Sequence, residues 1–178
     1  MKKILLLLLL PIFGFGQVNT FPWINDFESF TTLNEDQNDD GDWWLMQGPT
    51  GSFNTGPDGD HTTGNGIYYY VESSSPNFPS KTFITYTPVF DISATPGKIV
   101  SFWYHMYGAQ MGDLEIGVGD YSLPGTGYTT LGTISGDQGE EWHLAYYPIP
   151  VGVLDSFKVI ITATTGSSFT SDICIDDL

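Results

Sequence analysis

Apolar and polar residues alternate with a period of two along much of the chain after residue 25, and that period belongs to half-buried β-strands. Asp113–Val118 alternates most cleanly. Leu114, Ile116 and Val118 fall on one face, and Asp113, Glu115 and Gly117 on the other. Lys81–Val89 alternates around Phe83, Thr85 and Thr87. Ile67–Val71 and Lys98–Tyr107 are runs of aromatic and β-branched residues. Tyr128–Ile134, Trp142–Tyr147, Phe157–Thr165 and Ile173–Ile175 complete the predicted strands. Breaker clusters divide them: Gly56-Pro57-Asp58-Gly59, Pro96-Gly97, Pro124-Gly125 and Gly136-Asp137-Gln138-Gly139. No segment carries the 3.6-residue period of an amphipathic helix, and no internal repeat is evident. Ser73-Ser74-Ser75-Pro76 reads as a loop rather than a linker. Many short strands joined by Gly- and Pro-rich turns predict an all-β fold, an antiparallel jelly-roll β-sandwich.

The ends of the chain read differently. Lys2 and Lys3 precede an unbroken apolar stretch from Ile4 to Leu10, and small residues stand at −3 and −1 of a Gly16/Gln17 cut. That is the layout of a secretory signal peptide over residues 1–16. The stretch is too short for a membrane span, which needs roughly 20 apolar residues. Residues 17–25 form a short leader, and 26–178 one sandwich domain. The chain stops at Leu178, directly after a predicted strand, so further domains are expected beyond it. The lone Cys174 cannot form an internal disulfide and is expected as a small buried residue.

Charge narrows the partners. The chain holds 5 Lys plus Arg against 21 Asp plus Glu, for a net charge of −16. Once the signal peptide is removed, only Lys81, Lys98 and Lys158 remain basic. Such a surface repels phosphate backbones and anionic lipid, so nucleic acid and membrane insertion are not expected. The acidity suits solubility, and it also suits carboxylates gathered around a divalent cation.

Six blocks in order then resemble one family. They are Asp26-Phe27-Glu28-Ser29-Phe30; Asp42-Trp43; Thr55-Gly56-Pro57-Asp58-Gly59-Asp60-His61-Thr62 with Gly64 to Tyr70; Ser101 to Gly108 with Met111-Gly112-Asp113-Leu114; Gly139-Glu140-Glu141-Trp142; and Ile173-Cys174-Ile175-Asp176-Asp177-Leu178. Together they are similar to the MAM domain of meprin, the A5 antigen and a receptor tyrosine phosphatase. The resemblance covers nearly all of the mature chain, which looks like a secreted bacterial member. The paired cysteines of the animal domains are missing here, and Cys174 replaces a usual Ala. The resemblance implies a jelly-roll sandwich, an opening strand at 26–30, and a role in adhesion or protein interaction. In bacteria, similar domains accompany secreted hydrolases and surface adhesins.

The resemblance also points to a structural calcium ion held by Glu28, Asp60 and Asp176, with Asp58 and Asp177 in reserve. Carboxylate oxygens are hard ligands suited to calcium. Pairing of the first and last strands would bring Glu28 near Asp176 and Asp177. Neighbours on a strand diverge, so Asp176 and Asp177 do not both aim at one ion. A second acidic run, Asp36 to Asp42, begins like a calcium loop, with oxygen side chains at positions 1, 3 and 5 and Gly at 6. Gln47 stands where the closing bidentate Glu would be, so a solvated loop is the main reading.

His61, His105 and His143 lack metal-ligand spacing, and the first two are expected to hydrogen-bond within the sandwich. Neither a Gly-x-Ser-x-Gly elbow nor a phosphate loop appears. Glu140 and Glu141 are neighbours and cannot face each other across a sugar. The chain is therefore read as a recognition module for an extracellular protein or glycan, not an enzyme. Trp103 and Trp142 read as core. Of Trp43-Trp44, one is expected to point outward if they lie on a strand. Trp44 is then the candidate for a carbohydrate-binding alternative.

Overall fold

The structure is a computed structural model describing residues 17–94, 97–120, 128–150 and 155–178. The predicted signal peptide lies outside the described residues, as do the turn at Pro124-Gly125 and Pro96 of Pro96-Gly97. In chain order the strands are β1 (Asn34–Glu35), β2 (Trp44–Gln47), β3 (Ile67–Val71), β4 (Thr82–Tyr86), β5 (Phe90–Asp91), β6 (Ile99–His105), β7 (Asp113–Gly119), β8 (Thr129–Ser135), β9 (His143–Pro148), β10 (Ser156–Thr164) and β11 (Ile173–Asp176). They form two antiparallel sheets. One runs β1-β4-β10-β7-β8, with β5 also pairing β10, and the other runs β2-β3-β11-β6-β9. This is the jelly-roll sandwich that the alternation predicts.

Between the sheets, Leu114, Ile116 and Val118 of β7 and Phe157, Val159 and Ile161 of β10 meet Tyr69, Phe102, Ile173 and Ile175 from the other side. The predicted faces of Asp113–Val118 hold: the three apolar side chains are buried, and Asp113 is exposed.

β3 departs from simple alternation because all five of its residues are buried. Its inward residues join the main core. Tyr68 and Tyr70 instead form a second small core with Cys174 on the outer face, packed by Met46 and Trp142. The 48–66 loop lies over that face. It is held where the Tyr68 hydroxyl donates to the Gly48 carbonyl (2.7 Å) and Trp142 Nε1 donates to the Gly59 carbonyl (3.1 Å). Cys174 is the buried residue that the sequence predicts, and burial pushes its thiol well up.

The first block corrects one expectation. Residues 26–30 are a turn, not an opening strand, and Phe27 and Phe30 both take positive φ (58° and 57°). The first and last segments still pair, because the Asn25 and Leu178 N–H groups each donate to the other's carbonyl, at 2.7 and 3.0 Å. The leader is also part of the fold: Val18 bridges Phe90 beside β10.

Candidate functional site

Glu28, Asp60 and Asp176 come from three separate segments and are drawn toward one corner by backbone donors. Glu28 Oε1 accepts the Ile67 N–H at 2.8 Å. Asp60 accepts from the Thr63 N–H (2.8 Å) and hydroxyl (3.0 Å), and also from the Gly66 N–H. Gly66 is required here. A Cβ at that position would lie 2.1 Å from Glu28 Oε1 and 2.9 Å from Asp60 Cγ. Asp176 accepts the His61 N–H at 2.9 Å and the Asp177 N–H at 2.8 Å. The Asp58–Asp60 turn therefore folds over the edge where the chain ends meet.

Electrostatics separate these carboxylates. Burial works to raise Asp60, but the donors from Thr63 and Gly66 outweigh it and hold the group below its ordinary value. Asp176 is pushed up to about 7, first by burial and then by the nearby Asp177 and Asp60 carboxylates. Asp177 meets the same histidine, His61, through its ring. Its Oδ2 lies 2.8 Å from His61 Nδ1 and accepts the Thr62 hydroxyl at 2.7 Å. The His61 ring stacks on Trp103 with centroids 3.6 Å apart. His61 thus hydrogen-bonds as expected, and the buried His105 ring interacts with the Glu140 backbone.

The donors have the right chemistry for calcium. Among the described residues, however, no group of three or more His, Cys, Asp or Glu side chains is arranged to hold a metal ion. Asp58 is exposed and lines a separate pocket with Glu140. The Asp36–Asp42 run works mainly as a strand edge. Asp39 accepts the N–H groups of Gly41 and Ile84, and Asp40 accepts from the Thr82 N–H and Lys81 Nζ, both at 2.9 Å. These carboxylates extend β1 along β4.

Two cavities among the described residues bear on the site. One of about 700 Å³ lies where the leader meets both sheets, and is walled by Phe21, Trp23, Phe90, Ile99, Phe157 and Leu178. The other, about 330 Å³, is a half-open hollow bordered by the 49–58 loop. Neither was foreseen, because walls drawn from several distant segments have no periodic signature along the chain. Trp43 is buried and donates from Nε1 to the Phe83 carbonyl, while Trp44 on β2 is 59% exposed.

The fold and these loop-borne sites define a β-sandwich module with its chemistry at the strand ends. The profile described as "MAM domain, meprin/A5/mu" matches residues 25–178, and the chain belongs to this family. Thyroid hormone-induced protein B of Xenopus laevis is 37% identical over 142 residues, which cover 78% of this chain and 19% of that protein. MAM domain-containing glycosylphosphatidylinositol anchor protein 1 of Rattus norvegicus is 35% identical over 157 residues, covering 85% of this chain and 16% of that protein. The chain thus spans under a fifth of either relative's length. Both are vertebrate proteins and give no support to the bacterial source expected from the sequence. In fold, the chain is similar to the K2 cleaved adhesin domain of Lys-gingipain, with a TM-score of 0.59 at 11% identity, covering 87% of this chain and 96% of that one. It is also similar to TmCBM61 in complex with β-1,4-galactotriose, with a TM-score of 0.50 at 16% identity, covering 85% and 90%.

Proposed function

We propose that this chain is an extracellular, non-catalytic recognition module that works by protein interaction in adhesion, as one part of a larger secreted or surface protein. Membership of the MAM family carries this reading. Relatives that match over most of the chain include a glycosylphosphatidylinositol anchor protein by name. The predicted signal peptide agrees with it, and no described helix is long and apolar enough to cross a membrane. Exposed Leu144 and Tyr146 on β9, beside exposed Ile99 on β6, offer an apolar contact surface.

One observation favours a second reading, carbohydrate binding. Trp44 presents its ring to solvent, and a flat exposed indole can stack on a sugar ring. The two readings separate in a pair of screens, one on extracellular protein domains and one on a glycan array. Capture of proteins that survives Trp44→Ala is the expected result. Glycan binding abolished by Trp44→Ala, with no protein captured, would reverse the assignment.

A structural calcium belongs to the leading reading, with Glu28, Asp60 and Asp176 supplying oxygens and Asp58 and Asp177 in reserve. The meeting of Glu28 and Asp60 around Gly66 supports it, as does the crowding of negative charge on Asp176. Calcium would have to draw these groups closer than they stand. An ion bound only by the folded state raises its stability. Millimolar calcium is therefore expected to raise the melting temperature by about 2–4 °C over EDTA, and Asp60→Asn should remove the difference. Superimposable melting curves would dismiss the ion.

A further inference from the structure

We propose that the half-open pocket bordered by the 49–58 loop receives a basic side chain, lysine or arginine, from a protein partner. The inference deepens the reading of the chain as a protein-interaction module and rests on it. The pocket encloses about 330 Å³, and its walls include Phe53, Asn54, Asp58, Tyr107 and Glu140. Two aromatic rings and two carboxylates in one small space form a cation's environment. The rings attract a positive charge through their faces, and the carboxylates pair with it.

No basic residue lines the pocket. The three described lysines are engaged elsewhere. Lys81 pairs with Asp40, Lys98 lies over Phe21, and Lys158 lies over Tyr86. With the chain at −16, the complementary charge must come from outside.

The pocket is preorganised. Thr50 Oγ1 donates to the Thr55 carbonyl at 3.0 Å, the Asp172 N–H donates to Thr55 Oγ1 at 2.9 Å, and the Ser52 and Ser74 hydroxyls meet at 3.1 Å. These bonds tie the loop to β3 and to the approach to β11. Phe53 is nonetheless 86% exposed, so its ring is accessible to a partner.

The buried His105 ring interacts with two pocket residues, the Glu140 backbone and the Asp58 carboxylate, so its resonances report on the pocket wall.

The test is an NMR titration of the secreted chain with a capped Gly-Arg-Gly peptide and its lysine counterpart. The citrulline peptide serves as the uncharged isostere and lactose as a sugar probe. Both basic peptides are expected to shift the Phe53, Tyr107 and His105 resonances, with saturation in the millimolar range and weakening in added salt. Glu140→Gln and Phe53→Ala are exposed changes that should leave the melting temperature alone and weaken the peptides about tenfold. Equal shifts with citrulline, shifts with lactose alone, or no saturable shift would overturn the proposal. Protein capture in the domain screen that is undiminished in Glu140→Gln and Phe53→Ala would remove the pocket assignment and leave the module reading standing. Arginine binding with no protein captured would do the reverse.

Discussion

Phe27→Ala is expected to cost about 3–5 kcal/mol of folding stability, the range for emptying a buried aromatic site. Phe27 is 0% exposed and lies in the turn that precedes β1. Its ring stacks on Tyr69 at 5.2 Å, and Tyr69 stacks on Trp43 at 5.5 Å. Three rings from three segments therefore form one column through the core. Removing the first leaves the second without a face, and close-packed neighbours cannot refill that volume. Phe27 also takes φ 58°, a conformation that Ala tolerates no better than Phe, so the substitution brings no backbone relief. Urea denaturation should show a lower midpoint with an unchanged slope. A loss under 1 kcal/mol would mean that the column does not hold the N-terminal segment in place.

The second large effect concerns pH. Glu35 on β1 bridges the sheets, accepting the Tyr69 hydroxyl of β3 and the Trp43 N–H at 3.3 Å. Burial pushes its carboxyl up to about 7 from an ordinary 4.5, against the lowering effect of those donors. The folded state therefore holds this proton more tightly than the unfolded chain. The resulting stabilisation is complete below the unfolded value and fades as pH rises through the folded one. Discounted for the part of the group that water reaches, it amounts to about 1–2 kcal/mol. Asp172 and Asp176 are also raised, to about 6 and 7, so the native protein has other sources of slope. The diagnostic quantity is the stability difference between native protein and Glu35→Gln. It should shift toward the variant by that amount between pH 4.5 and 8, because glutamine still accepts from Tyr69 and Trp43 but never ionises. A difference independent of pH would locate the titration elsewhere.

These two residues also show what the sequence could reveal. β6, β7, β9 and β10 were legible because their side chains alternate or run apolar for several residues. β1, β2 and β5 were not predicted. Two are dipeptides, and β1 pairs with β4 over only Asn34 and Glu35, with Asp39 and Asp40 adding contacts to the same strand. A run of Asp, Asn and Gly has no strand propensity, so it read mainly as a solvated loop with the partial spacing of a calcium site. The meeting of Glu28, Asp60 and the chain end could be expected from the family resemblance. The geometry of 26–30 could not, since positive φ at two phenylalanines leaves no compositional trace. Asp58 looked like a neighbour of Asp60 in function, but two residues of turn send it to a different pocket. His105 read as a histidine held inside the sandwich, and its buried ring meets the Glu140 backbone.

The mutual hydrogen bonds of Asn25 and Leu178 make the domain almost a closed ring. Joining those residues by a short linker and reopening the chain at an exposed tip should yield a circular permutant with the same sandwich. In a tandem protein, the segments before and after would attach side by side, so the module would hang from its neighbours like a pendant, not stand between them as a spacer.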